Sequence, residues 1–235
     1  MLLTVREAAG LLKVTERQIY RWVDEEEIPF RRVRDQVRFN RTDLLEWATS
    51  RRLPISLEAF DDGLDADEPA PSLARALRVG GVPRDVPASD RDSALRAVVE
   101  RTPMPETVDR EWLIEILVAR ENTLSTAIGD GIAIPHVRQP VVAPGVPAAV
   151  SVSYLRTPIA FGAPDAKPVK TIFLIVSPTV RTHLQMLAHL ARALLDPAFR
   201  GAVDRQAPAE DLAAAAARLE VLPTPAPPPR RNEAD

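Results

Sequence analysis

The chain has 235 residues, 46 % hydrophobic and 27 % charged, enough apolar material for one or two packed domains. It has no cysteine, which excludes disulfides, thiol catalysis and cysteine-bound zinc and suits a reducing cytoplasm. A formal net charge of −3 excludes a polybasic nucleic-acid binder taken as a whole. The start of the chain lacks an apolar signal region, and no apolar run approaches the roughly 20 residues of a membrane span, so membrane insertion is not expected.

Charge divides the chain. Residues 1–52 hold 11 Arg/Lys against 9 Asp/Glu, residues 53–72 hold 6 acids and no base, and residues 73–221 hold 17 bases against 16 acids. The sequence therefore reads as a small domain (1–52), an acidic Pro-rich linker (53–72), a larger domain (73–221) and a disordered Pro-rich tail (222–235) with polyproline character.

In the first block Thr4 can cap a helix carrying Val5, Ala8, Ala9, Leu11 and Leu12. Thr15 caps a second, with Ile19, Trp22 and Val23 on one face and Gln18 at the third helical position. Ile28-Pro29 stops it. Phe30 to Val33 and Val37 to Phe39, around Arg34-Asp35-Gln36, read as a hairpin. Asn40 or Thr42 starts a third helix with Leu44, Leu45 and Trp47. In the second block helices begin at Asp90 or Ser93 and at Asp109. Strands run from Ala148 to Leu155 and from Thr171 to Val176. Further helices run from His183 to Leu195 and from Asp211 to Leu219. Alternating helices and strands make this block α/β.

Two short helices and an arginine-bearing hairpin describe a winged helix-turn-helix. Thr4 to Ala9, Arg17-Gln18-Ile19-Tyr20-Arg21-Trp22, Ile28-Pro29 and Val37-Arg38-Phe39 resemble the excisionase-type, MerR-like DNA-binding module. Thr15, Arg17, Gln18 and Arg21 sit at or near the start of the second helix, the part that reaches base edges in the major groove. Arg17 suits guanine and Gln18 adenine. Tyr20 suits a phosphate, and Arg31, Arg32, Arg34 and Arg38 on the wing suit backbone or minor groove. The competing reading is a solvated face whose arginines pair with Asp24, Glu25, Glu26 and Glu27. A net charge of +2 over residues 1–52 predicts weak binding by one copy. The long helix that dimerises MerR-like regulators is missing, so a homodimer would have to form through the second domain.

The second block holds Gly129-Asp130-Gly131-Ile132-Ala133-Ile134-Pro135-His136, one of only three histidines at the end of an apolar strand and held by a stiff turn. Neutral imidazole is a nucleophile near pH 7 and can carry a phosphoryl group. With Arg120 to Thr126 upstream and Thr182-His183-Leu184 downstream, it resembles the IIA domain of the fructose/mannitol and nitrogen-regulatory type of the phosphotransferase system. Thr157 to Val169, Phe173 to Pro178 and His183 to Arg200 continue the likeness.

The resemblance implies an α/β fold in which a small winged helix-turn-helix domain precedes an α/β domain with a mixed sheet flanked by helices. It implies that His136 is phosphorylated by a phosphocarrier protein (HPr-like), with Arg120 offsetting charge on the phosphoryl group, His183 bonding it or orienting the imidazole, and Thr126, with Ser125 behind it, donating a hydroxyl. Each has a plainer alternative. Arg120 can pair with Glu121 or Glu115, Thr126 can satisfy a loop backbone, and His183 can be a helix-start residue. His189 reads as structural or superficial. No cofactor is implied, and no metal-binding spacing is present. Ala166, where the family usually has glycine, and Val137-Arg138, where small residues are common, depart from its pattern.

Together these features suggest a cytoplasmic DNA-binding regulator that senses phosphotransferase status. The alternatives are a IIA component passing phosphate to a sugar-transport IIB domain, an interaction protein that is never phosphorylated, and an architectural DNA binder of excisionase type.

Overall fold

The computed structural model describes residues 2–56, 71–137, 142 and 145–221. The N-terminal unit contains β1 (Leu2–Leu3), α1 (Val5–Leu11), α2 (Glu16–Asp24), β2 (Arg31–Val33), β3 (Gln36–Asn40) and α3 (Arg41–Ser50). Thr4 caps α1 in a reciprocal box, taking Glu7 N–H at 3.3 Å while Glu7 Oε2 takes Thr4 N–H at 2.7 Å. Thr15 caps α2 through Gln18 N–H at 3.2 Å, and Asn40 rather than Thr42 caps α3. Arg34 and Asp35 both have left-handed backbone, φ +48° and +60°, so the wing closes in a two-residue turn whose twist matches its strands. The two-residue β1 is too short to show alternation in sequence. It adds to the wing in the order β1-β3-β2.

Ile55 and Ser56 are buried, and Ser56 N–H donates to Leu11 O at 2.7 Å. The packed chain thus runs into the stretch read as linker. The acidic residues 57–70 and the Pro-rich tail 222–235 lie outside the described residues.

The second unit follows as α4 (Leu73–Gly80), α5 (Arg91–Arg101), α6 (Arg110–Glu121), β4 (Ala127–Gly129), β5 (Ile132–Ala133), β6 (Ala149–Ile159), β7 (Val169–Val176), α7 (Val180–Leu195), α8 (Pro197–Asp204) and α9 (Ala209–Val221). Its sheet has the order β4-β5-β7-β6 and is mixed: β5 and β7 are parallel, the other pairs antiparallel. The fold is the α/β arrangement expected, a mixed sheet flanked by helices behind a helix-turn-helix. Asp90 and Asp109 cap α5 and α6. Strands β6 and β7 and helix α9 run two to four residues beyond the sequence reading, and two boundaries, one at each end of α7, differ in kind. Helix α7 begins at Val180, capped by Thr179, so His183 lies inside its first turn. Asp196 starts a separate helix, α8, accepting from Ala198 and Phe199 N–H with Pro197 at the first position.

One face of the sheet shares a core with the N-terminal unit. Leu3, Leu11, Phe39 and Leu44 belong to the same buried cluster as Leu77, Val150, Phe173, Leu187 and Leu212. The other face packs Leu155, Ile172 and Leu174 against α5 and α6. Helix α3 lies against β4, which pairs with the strand leading to His136, and against α7, which carries His183.

Candidate functional site

The strand end before His136 is built by a tight turn. Gly129, Asp130 and Gly131 all have left-handed backbone, φ +91°, +49° and +76°, and return the chain from β4 into β5. Strand β5 enters the sheet parallel to β7, pairing Ile132 with Thr171 and Ala133 with Ile172. Ile134 N–H donates to Thr126 O at 3.1 Å, and Pro135 then delivers His136 to the edge of the core.

His136 is buried, 4 % exposed. Its Nδ1 lies 2.6 Å from Ile134 O. A carbonyl only accepts, so Nδ1 carries the hydrogen and Nε2 is the nitrogen left for chemistry. Nε2 faces Glu46 Oε2 at 3.5 Å, and Arg120 Nη2 holds that oxygen at 2.6 Å. Arg120 Nη1 donates to Leu124 O at 2.6 Å, which fixes the guanidinium. Burial raises the Glu46 carboxyl, but a bond and charge from His136 when its Nε2 is protonated, and the charge of Arg120, outweigh it, and the group sits below its ordinary value; the nucleophile is the form without that Nε2 proton.

His183 is also 4 % exposed, and neither ring nitrogen has a partner among the described residues. Burial first, and the neighbouring His136 second, push it down to about 3, so it is a neutral imidazole at ordinary pH. Both histidines line a small cavity otherwise walled by apolar side chains such as Met104, Leu113, Leu117 and Val176.

The structure thus brings His136, His183 and Arg120 to one region, but the guanidinium pairs with neither Glu115 nor Glu121. Glu46 was not anticipated. It lies 74 residues before Arg120, on α3 of the other unit, and nothing local in the sequence marks its partner. Thr126 corrects the expectation of a hydroxyl donor. Its Oγ1 donates to Glu121 Oε2 at 2.6 Å, and its N–H to the same carboxylate at 3.0 and 3.2 Å. Glu121 is buried and needs those donors, so the hydroxyl is committed away from His136. Ser125 Oγ likewise donates to Phe161 O at 2.7 Å. Ala166 adopts φ +56°, the backbone for which glycine is the usual residue. Arg138 lies outside the described residues. His189 is half-buried, and burial lowers it. Among the described residues no three His, Cys, Asp or Glu converge as metal ligands, and no helix is long and apolar enough to cross a membrane.

On the N-terminal unit Thr15, Arg17, Tyr20 and Arg21 of the α2 region and Arg31, Arg32 and Arg34 of the wing are exposed with the second unit in place. Thr15 Oγ1 accepts from the backbone, which leaves its own hydrogen to donate. Two predicted readers are placed differently. The Gln18 amide nitrogen is enclosed without a partner among the described residues. The Arg38 guanidinium turns along its own strand, to Val37 O at 3.0 Å and to Gln36 Oε1. Arg21 lies 3.9 Å from Glu25, an exposed pair of little weight.

Residues 2–52 match the family model for a helix-turn-helix domain. Residues 77–216 match that of the phosphoenolpyruvate-dependent sugar phosphotransferase system, EIIA 2. A nitrogen regulatory protein of Pseudomonas aeruginosa is 36 % identical over 131 residues, 54 % of this chain and 81 % of that protein. A fructose-specific EIIA component of Haloferax volcanii is 38 % identical over 91 residues, 37 % of this chain and 56 % of that protein. The crystal structure of the nitrogen regulatory protein IIA-Ntr of Neisseria meningitidis superposes with a TM-score of 0.51 at 27 % identity, covering 61 % of this chain and 98 % of that one. With more than half of its length matched by the second model, the chain belongs to the EIIA type 2 family of the phosphoenolpyruvate-dependent sugar phosphotransferase system, and a helix-turn-helix domain precedes that part.

Proposed function

We propose that this protein is a cytoplasmic DNA-binding regulator in which His136 accepts a phosphoryl group from a phosphocarrier protein and so couples phosphotransferase status to transcription. One observation carries the acceptor role. The Nδ1–H···O contact to Ile134 at 2.6 Å fixes the tautomer and leaves Nε2 as nucleophile, facing a carboxylate oxygen that the Arg120 guanidinium holds.

In the transfer, the Nε2 lone pair forms the new N–P bond while the N–P bond on the carrier breaks and returns its electron pair to the carrier's ring. The His136 ring becomes an N-phosphoimidazolium whose Nδ1–H still donates to Ile134 O. Arg120 offsets charge on the moving group, because such transfers depend mainly on positioning and electrostatics. Neutral His183 can offer one N–H to a phosphoryl oxygen. The exposed arginines of α2 and the wing serve as DNA contacts, Arg17 foremost because it stands in the first turn of α2.

The likeness to a fructose-specific EIIA component favours a second reading, passage of phosphate on to a IIB domain.

The test is incubation of the purified chain with phosphoenolpyruvate, the general phosphotransferase enzyme and its phosphocarrier, read as acid-labile phosphate by intact mass. One phosphate on the wild type and none on His136→Ala is expected. Phosphate on both would remove His136 from the reaction. Rapid loss of the label to an added IIB domain would favour the relay.

A further inference from the structure

The N-terminal unit does more than precede the EIIA site; it reaches into it. Glu46 Oε2 takes Arg120 Nη2 at 2.6 Å and stands 3.5 Å from His136 Nε2, so an anion of this chain already occupies the guanidinium and faces the nucleophile. The three side chains are 12 %, 10 % and 2 % exposed for Glu46, Arg120 and His136, so this is an enclosed contact rather than a solvated surface pair. A second tie lies beside it: Arg52 pairs with Asp130, in the turn that delivers His136. Helix α3 rests on β4, which leads into that turn, and on α7, which carries His183.

We propose that the α3 surface carrying Glu46 is a docking surface for the phosphoryl site, and that Glu46 and a phosphoryl group on His136 compete for Arg120. The proposal rests on His136 being the acceptor. A phosphoryl group brings roughly one and a half to two negative charges, against one for the carboxylate. Both cannot lie against one guanidinium in an enclosed site, where like charges repel strongly. Glu46 also stands on the approach to Nε2, so the donor's phosphorus can reach the lone pair only after α3 has moved. Docking therefore slows phosphorylation by blocking the donor's approach and disfavours the phosphorylated form, and phosphorylation releases the helix-turn-helix unit; the two equilibrium effects are reciprocal. The exposed arginines of α2 and the wing are not covered in the docked form, so release changes what the DNA-reading unit is attached to, not whether its reading face is open.

The full-length chain tests this. Glu46→Gln keeps the side-chain volume and removes the charge. Its initial rate of phosphorylation by the phosphorylated carrier is expected to rise roughly tenfold over wild type, within the usual range of coupling between sites. Arg52→Ser loosens the docking without touching the site and is expected to give a smaller rise. Because the chain has no cysteine, spin labels can be placed at Asp24→Cys and Trp112→Cys, one exposed position on each unit. A single distance in the unmodified protein that spreads on phosphorylation is expected. Equal rates for wild type and Glu46→Gln, or an unchanged distance after phosphorylation, overturn the docking proposal and leave the acceptor reading intact. Phosphate on neither protein overturns the acceptor reading, and the competition falls with it. Phosphate on Glu46→Gln alone supports both.

Discussion

His183 has an unusual position for a titratable side chain: enclosed, beside a second histidine, with both nitrogens unpartnered among the described residues. Burial, and then the adjoining His136, lower it from 6.5 to about 3. The unfolded chain therefore binds a proton in the window between those values that the folded chain refuses. Stability is full above 6.5 and falls as pH drops toward 3, with a slope of at most about 1.4 kcal/mol per pH unit from this one group. His183→Gln should flatten that part of the profile relative to wild type. Chemical unfolding at several pH values inside the window measures it, and parallel profiles for the two proteins would mean that the site opens to let His183 protonate. The same neutrality limits its role. In the proposed transfer it would, at neutral pH, donate a hydrogen bond to a phosphoryl oxygen but not offset its charge, which would leave that work to Arg120.

Among the elements, the contact of α4 with β6 is the least forgiving. A Cβ built on Gly80 would stand 2.2 Å from the Val150 carbonyl carbon and 2.3 Å from its oxygen, both backbone atoms that no rotamer change can move. Gly80→Ala should cost about 3 kcal/mol, the upper part of the usual overpacking range. A denaturant midpoint within error of wild type would show that the helix can lift off the strand at little cost. Helix α4 also shows where sequence reading stops. Asp90, Asp109 and Thr4 are legible as caps because the capping bond is local, three residues long. The strong strands β6 and β7 are legible because β-branched runs declare themselves. Helix α4 is eight residues long, and its cap is completed by Glu220, which takes Ser72 Oγ at 3.0 Å and Ala74 N–H at 3.1 Å from the far end of the chain. Strands β1, β4 and β5 have two or three residues each and exist only through their partners. The site divides in the same way. His136 is legible from its strand end and Arg120 from its neighbours, whereas Thr126 is misplaced by sequence because its partner, Glu121, looks like any helix-end glutamate until it is seen buried.

For the whole molecule the question is how a chain of net charge −3 would hold DNA as proposed. Of the arginines predicted to contact DNA, Arg17, Arg21, Arg31, Arg32 and Arg34 are exposed and left for phosphate contacts, because Arg38 is tied to its own strand. Each phosphate neutralised contributes about −0.9 to the slope of log affinity against log salt. One copy making all five contacts would show a slope on the order of −4 to −5, and a dimer reading two half-sites about twice that. The slope therefore counts copies, which neither the sequence nor the fold of a single chain does. Arg17→Ala should weaken binding and relax sequence preference at one base pair by about 1 to 3 kcal/mol if Arg17 reads guanine. If Arg17 only touches a phosphate, the loss will be uniform across sequences and the slope will fall by about one. Fluorescence titrations of wild type and Arg17→Ala on operator and scrambled duplexes, across a salt series, separate these cases. A flat salt dependence in the wild type would remove DNA from the function and leave the helix-turn-helix unit as a cover for the phosphoryl site.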